Sequence, residues 1–176
     1  MTWRRALIYF ATFVVLVVYY VTTEPGDDHD AAAAGQRRSF LSATPGEVQT
    51  VTVERGATRI QAVRDGDRWR VVEPEHAPVP SDLLAALVEQ LTALPDVEVV
   101  SESGAEAEQF GLVPPSAHVT LGLSEGRHIG VALGGRNPGQ TAVYARVDGT
   151  IRIVLVGLNV LYYQDLITQA AGLGSR

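Results

Sequence analysis

The feature of this sequence that most limits its fold is the repeated alternation of apolar and polar residues from Val48 onward. Glycines and Asp-Gly pairs punctuate the alternating runs, as expected for turns between strands. A period of two places the apolar side chains on one face of a sheet. We therefore expect eight strands, at residues 48–54, 57–64, 68–73, 96–101, 117–124, 127–133, 141–147 and 150–156.

Two segments instead carry apolar residues at helical spacing. The first predicted helix begins at Pro80, Ser81 and Asp82 and continues with leucines and valine from Leu83 to Leu94. The second predicted helix covers about 160–171 and follows Asn159. Each half of the domain thus contains strands followed by a helix. The pattern predicts an α+β fold of two β-meander-plus-helix units with antiparallel sheets: residues 47–103, a joint at 104–116, and residues 117–176.

The hairpin loops predict the strand register. A three-residue loop, Ser124–Gly126, places Val119, Leu121 and Leu123 on the same face as Ile129, Val131 and Leu133, because side chains alternate with period two. By the same reasoning, a loop at 147–149 aligns Val143 and Ala145 with Ile151 and Ile153. The helices should cover this apolar face.

The N-terminal segment has a different pattern. Residues 6–23 carry no charge and approach the length needed to cross an apolar bilayer core of ~30 Å. We predict a transmembrane anchor at 1–23 and a tether at 24–46. A cleaved signal peptide is the alternative. The residues expected at the membrane interfaces, with lipid contacts there, are Trp3, Arg4, Arg5, Tyr19 and Tyr20.

The flanking charges predict the orientation of this anchor. Two arginines precede the apolar run and acidic residues follow it, which indicates a cytoplasmic N-terminus and a periplasmic domain on a bacterial inner membrane. Beyond the run, 12 Arg stand against 20 acidic residues, so the domain repels phosphate backbones and nucleic acid is not an expected partner. Cysteine is absent, which excludes disulfides and thiol chemistry.

No group of residues predicts a reaction. By the expected register, His118 and His128 lie about 13–20 Å apart along the strands, too far to share a metal ion. We predict no catalytic, cofactor or metal site. The weak candidate for a ligand is a glycine-rich loop between two strands, whose N–H groups could hold an anion: Gly134, Gly135, Arg136 and Asn137.

The joint overlaps a distinctive passage, Glu108–Leu123, which reads EQFGLVPPSAHVTLGL and matches no catalytic motif. Its two prolines lack N–H donors and favour extended backbone before them, so we expect a stiff connection between the halves. Phe110 and Leu112 could fill the seam between the halves or contact another protein. Tyr162 and Tyr163 on the last helix are further candidates for protein contact, because the apolar residues there span more than one stripe.

Four stretches share the pattern of one bacterial family: Asp65–Val71, the proline-flanked segment up to Leu83–Leu94, Phe110–Leu112 with Pro114 and Pro115, and Leu133–Gly135 through Val143–Arg146. In this order they resemble DUF4340, a family known only as a domain of unknown function, and the resemblance covers most of residues 48–156. It implies one N-terminal membrane helix, an extracytoplasmic domain, and in some members a gene beside transporter components, but no catalytic residue. An acidic residue is common in the family where this chain has Val113.

The sequence therefore predicts a non-catalytic, membrane-anchored accessory subunit. Its partners would be the subunits of an integral membrane protein complex, either an energy-transducing one such as a photosynthetic or respiratory complex, or a transporter. The alternative is an extracytoplasmic module that binds envelope glycan or peptide, with its site near residues 134–139. A hydrolase is a third hypothesis, which the separation of the histidines argues against.

Overall fold

The fold is seen in a computed structural model, which describes Trp3, Thr12, Phe13 and residues 40–94 and 98–173. The chain divides into two units, residues 1–37 and 38–176. The sheet and the helices that bear on function all belong to the second unit.

Among its described residues, this unit contains eight strands and two α-helices. Helix α1 (Ser81–Thr92) lies between the third and fourth strands, and α2 (Leu158–Leu173) follows the last strand. The strands are β1 (Val48–Arg55), β2 (Thr58–Asp65), β3 (Arg68–Glu73), β4 (Glu98–Ser101), β5 (Ala117–Leu123), β6 (His128–Arg136), β7 (Ala142–Val147) and β8 (Ile153–Gly157).

All eight strands form one antiparallel sheet in the order β3-β2-β1-β5-β6-β7-β8-β4. The prediction of two separate β-meander-plus-helix units is therefore wrong. Strand β1 pairs with β5 in the middle of the sheet, and β4 joins the second half by pairing with β8. These two pairings join the halves into one continuous sheet, because the backbone groups of β1 that do not pair with β2 pair with β5 instead.

The fold prediction also included a transmembrane helix at the N-terminus. Within the described part of the chain, no helix is both long enough and apolar enough to span a membrane, so that element of the predicted fold is corrected too. Trp3, Thr12 and Phe13 are helical. The other residues of the predicted anchor lie outside the described residues, among them Arg4, Arg5, Tyr19 and Tyr20.

The larger apolar cluster, here called the main cluster, lies between the sheet and the two helices. Helix α1 contributes Leu84, Leu87, Val88 and Leu91, which recur at helical spacing and are at most 2% exposed. Helices α1 and α2 also pack against each other. Arg55, the last residue of β1, forms an ion pair with Asp165 of α2. This pair holds the turn between β1 and β2 against the helix.

A smaller cluster, here called the joint cluster, lies on the opposite face of the sheet. Residues from the joint cover apolar side chains of β6, β7 and β8 there. Its members are Ala107, Leu112, Ala132 and Ile153, with Phe110 and Tyr144 packed against them. The joint therefore covers the second face of the sheet, where the helices do not reach.

The register predictions had different outcomes. Strands β5 and β6 pair Val119 with Val131 and Leu121 with Ile129, as predicted. The prediction for β7 and β8 is wrong by three residues, because a loop at 147–149 would pair Ala145 with Ile151, whereas Ala145 pairs with Val154. The connection between these strands is longer than predicted, and Ile153 consequently enters the joint cluster.

The predicted tether, 24–46, is described only from residue 40. There the chain is already part of the domain, because Leu41 and Ala43 are buried in the main cluster and the Phe40 N–H donates to the Leu94 carbonyl at 3.0 Å. Just before β1, Glu47 accepts a hydrogen bond from the Thr44 N–H at 2.7 Å. This bond, with the Thr44 hydroxyl and the nearby Arg127, lowers the pKa of Glu47.

Candidate functional site

A groove of about 600 Å³ runs beside β3, which is an edge strand of the sheet. Its volume falls within the range of about 300–1,000 Å³ that is common for ligand sites. One wall is the strand itself, and the other is the chain that leads from β3 to α1. We call it the β3 groove, and the residues that line it are Trp69, Arg70, Val71, Val72, Glu75, His76, Ala77 and Val79.

Backbone groups of β3 face this groove. In an antiparallel pair, alternate residues turn their N–H and C=O toward the partner strand. Trp69 turns away from β2, because its N–H donates to the Ser81 hydroxyl at 2.7 Å. Val71 lies two residues further and pairs with Ala62 before the ladder becomes irregular. Its N–H and C=O therefore also point away from β2 and toward the groove.

The side chains of the groove differ between its two faces. On the helix side the groove is lined by apolar side chains that belong to or pack against the main cluster, which supports them: Trp69, Val71, Ala77 and Val79. Arg70 projects from the opposite face and is exposed. Its Nε lies 3.8 Å from an Asp65 carboxylate oxygen, and both side chains are more than 60% exposed, so this pair is weak.

The Trp69 ring has a fixed position. The Cζ of Arg64 lies 5.5 Å from the ring centroid, within range of a cation–π contact. Arg64 is itself held by a hydrogen bond from its guanidinium to the Pro45 carbonyl at 2.8 Å. Trp69 is only 6% exposed and forms part of the groove floor. This wall of the groove is therefore built before any ligand arrives.

The predicted ligand loop is largely engaged within the chain. The Gly135 N–H donates to the Phe110 carbonyl at 2.8 Å, and a Cβ on Gly134 would meet that carbonyl. The side-chain oxygen of Asn137 accepts hydrogen bonds from the N–H groups of Thr141 and Ala142 at 2.9 and 3.1 Å. Only Arg136 extends from this loop as an exposed charge. The two glycines thus allow the joint to approach the sheet closely.

The predicted protein-contact residues lie in different places. Leu112 is 1% exposed and is enclosed by the joint cluster, and the Phe110 ring stacks at 4.3 Å, centroid to centroid, on Tyr144. Tyr163 packs against the main cluster, while Tyr162 is 59% exposed on α2. None of these four side chains lines the β3 groove.

The histidines of β5 and β6 lie on the polar face of the sheet. His118 pairs with Ala132, four residues along β6 from His128. Its Nε2 is 2.9 Å from an Asp148 oxygen, and its Nδ1 is 3.4 Å from the Thr120 hydroxyl. Across the described ranges, no set of three or more histidine, aspartate or glutamate side chains is placed to bind a metal ion.

Sequence reasoning missed the β3 groove because it depends on which strand lies at the edge. The alternation in 68–73 predicts a strand whether its second side is paired or free. The proline-rich stretch from Glu73 to Pro80 was the available signal, because it cannot continue the sheet and must run beside β3 before α1 begins.

A comparison with protein families identifies the family of this chain. The family model for DUF4340, a domain of unknown function, matches residues 69–170, more than half of the chain. The chain belongs to this family. The match includes every residue that lines the β3 groove as well as both helices up to residue 170. Neither the curated proteins nor the solved structures gave a match.

Proposed function

We propose that this DUF4340 chain is a non-catalytic binding module that docks on a protein partner by taking an extended segment of it into the β3 groove. The proposal retains the non-catalytic docking role expected from the sequence and adopts the peptide of the alternative hypothesis. That the partner is a membrane protein complex stays a prediction.

The observation that carries the proposal is the orientation of Val71. Its N–H and C=O point into a groove with an apolar wall, at the free edge of the sheet. An edge strand with unpaired backbone groups is a template for an added strand, and many binding domains use it in this way. Main-chain hydrogen bonds then provide affinity, and the pockets beside them provide selectivity.

A photocrosslinking experiment tests this function in the native cell. A benzophenone amino acid replaces His76, which lines the β3 groove, in the full chain. We expect a discrete crosslinked product that contains a second protein. The matched control carries the same amino acid at Gln169, which is exposed and lines a separate apolar groove of about 410 Å³ between the chain before α1 and helix α2.

The position of the crosslink decides the outcome. A product from position 76 that is absent from position 169 supports docking at the β3 groove. Mass spectrometry of that product should locate the crosslink in one short stretch of the partner. Equal products at both positions, or a product at 169 alone, would place the docking surface elsewhere and contradict the proposal.

A further inference from the structure

The β3 groove also indicates what kind of segment it takes, an inference that rests on the proposed function. We infer that the groove binds an extended segment antiparallel to β3, with an apolar residue paired with Val71 and an acidic residue directly after it, opposite Arg70. The acidic residue follows the apolar one toward the C-terminus because the segment runs against β3.

The backbone geometry selects Val71 as the pairing residue. In an antiparallel ladder, one incoming residue exchanges two hydrogen bonds with one residue of the edge strand. Trp69 cannot take part fully, because its N–H is already bonded to Ser81 at the start of α1. The register of β3 becomes irregular after Val71, where Glu73 pairs with Gln61. Val71 is therefore the residue best placed to exchange both bonds.

The direction follows from the sheet. Every pair of neighbouring strands in it is antiparallel. Antiparallel pairing is also slightly more stable per residue than parallel pairing. A parallel segment would instead use the Trp69 carbonyl and the Val71 N–H, and its acidic residue would have to precede the apolar one.

The side chains on the two faces of the groove select the chemistry. The residue paired with Val71 projects to the helix side, against the wall formed by Trp69, Ala77 and Val79, so an apolar side chain is favoured there. The next residue projects to the opposite face beside Arg70. The distance of 3.8 Å from Arg70 to Asp65 is longer than a hydrogen bond, so guanidinium N–H groups remain for an incoming carboxylate.

Short blocked peptides of defined order test the inference on the full chain carrying Trp3→Phe. The chain has two tryptophans, so Trp69 is then the only one and its fluorescence reports on the groove. One peptide has Thr-Val-Asp-Thr at its centre, the second reverses the central pair to Asp-Val, and the third has Lys in place of Asp. Hydrogen exchange of the Val71 amide reports on main-chain pairing.

We expect the Val-Asp order to bind about threefold more tightly than Asp-Val or Val-Lys, as one exposed ion pair allows. It should also slow exchange of the Val71 amide. N-methylation of the peptide Val removes its donor and should weaken binding about tenfold. The variant Arg70→Glu should reverse the preference to Val-Lys. Arg68→Glu, an equal charge change on the same strand but beyond Trp69, should leave the preference unchanged.

Three results would overturn the inference. If Asp-Val binds more tightly, the segment is parallel. If peptides change Trp69 fluorescence without regard to order or to Arg70→Glu, the groove accepts extended segments but does not select an acidic residue, and the proposed function stands. If no peptide affects Trp69 or the Val71 amide, the inference fails, and the crosslink at position 76 then decides separately whether the proposed function fails with it.

Discussion

The two faces of the sheet are covered in different ways. On one face, helices α1 and α2 bury the main cluster through residues that recur with helical spacing, such as Leu84, Leu87 and Leu91. On the other face, the joint has no regular secondary structure, yet it buries Leu112 and Ile153 as completely as the helices bury their leucines. Burial of a side chain on this sheet therefore does not require a helix above it.

The joint achieves this through its own backbone. Its turns are closed by hydrogen bonds from the Phe110 N–H to the Glu106 carbonyl at 3.2 Å and from the Leu112 N–H to the Ala107 carbonyl at 2.8 Å. Gly111 has a φ of 69°, which few other residues tolerate. One further bond, from Gly135, ties the joint to β6. The joint cluster thus depends on backbone approach, whereas the main cluster depends on the number of packed side chains.

The largest expected effect compares one leucine from each cluster. Leu87→Ala should lower the free energy of unfolding by about 4 kcal/mol, and Leu112→Ala by about 2 kcal/mol, because the irregular joint can settle into the space while two packed helices cannot. Both leucines are at most 1% exposed, so their transfer free energies are alike. Urea unfolding measures both, and equal losses would show that the two clusters resist collapse equally.

A second prediction concerns the close approach of the joint. Gly134→Ala should cost about 1–3 kcal/mol, because the added Cβ would meet the Phe110 carbonyl and the Leu112 side chain. Gly135→Ala is the matched control, since its Cβ would lie 3.6 Å from the same carbonyl, an ordinary contact. Limited proteolysis should cut residues 104–115 faster in Gly134→Ala than in Gly135→Ala. Similar cutting of both would show that the joint does not need this approach.

A smaller effect is expected from the ion pair that ties the first hairpin to α2. Arg55→Ala should lower the free energy of unfolding by about 0.5 kcal/mol, because both partners are partly exposed. Arg59→Ala removes pairs with Glu54 and Glu73, but these lie on the polar face between more exposed side chains, so the variant should change the free energy of unfolding by less. Thermal unfolding in low and high salt measures both. A larger loss for Arg59→Ala would mean that the polar face contributes more than the helix side.

The smallest expected effect is a pH dependence of local stability at the start of β1. The pKa of Glu47 is lowered in the folded state, so its contribution is fully present above the ordinary carboxyl pKa and is lost as the pH falls through the lowered value. Amide exchange of β1 should increase over that acidic range, while exchange of Leu112 should not follow it. Glu47→Gln should remove the dependence, and an unchanged acid response in this variant would contradict the assignment.

Local sequence patterns predicted most strands and both helices, but they did not predict how the strands are joined. The loop Ser124–Gly126 sets the register of β5 and β6, because Glu125 and Gly126 adopt positive φ and the large apolar side chains of these strands lie on one face. In β8, apolar residues occur consecutively from Ile153 to Val156, since the joint covers one face and α2 the other. Alternation cannot choose a face in such a strand, which explains the error of three residues in its register.

The continuous sheet and the groove share another reason for being missed. Pairing of β1 with β5 joins segments about 60 residues apart, and nothing in either strand specifies its partner. Once that pairing and the pairing of β4 with β8 are known, β3 must be an edge, and the chain from Glu73 to Pro80 must pass beside it. The sequence predicts the strand and the proline-rich loop that form the candidate site. It does not predict that the two lie side by side, because this depends on the topology of the sheet.

The pairing of β1 with β5 has a consequence for synthesis on the ribosome. Strand β1 is complete at Arg55, but β5 begins only at Ala117, and α2, which covers the sheet, follows all eight strands. At about 5–20 residues per second, the second edge of β1 waits roughly 3–12 s for its partner. During this interval the nascent chain exposes a strand edge and an apolar face. We expect chaperones that bind extended apolar segments to raise the yield of folded protein.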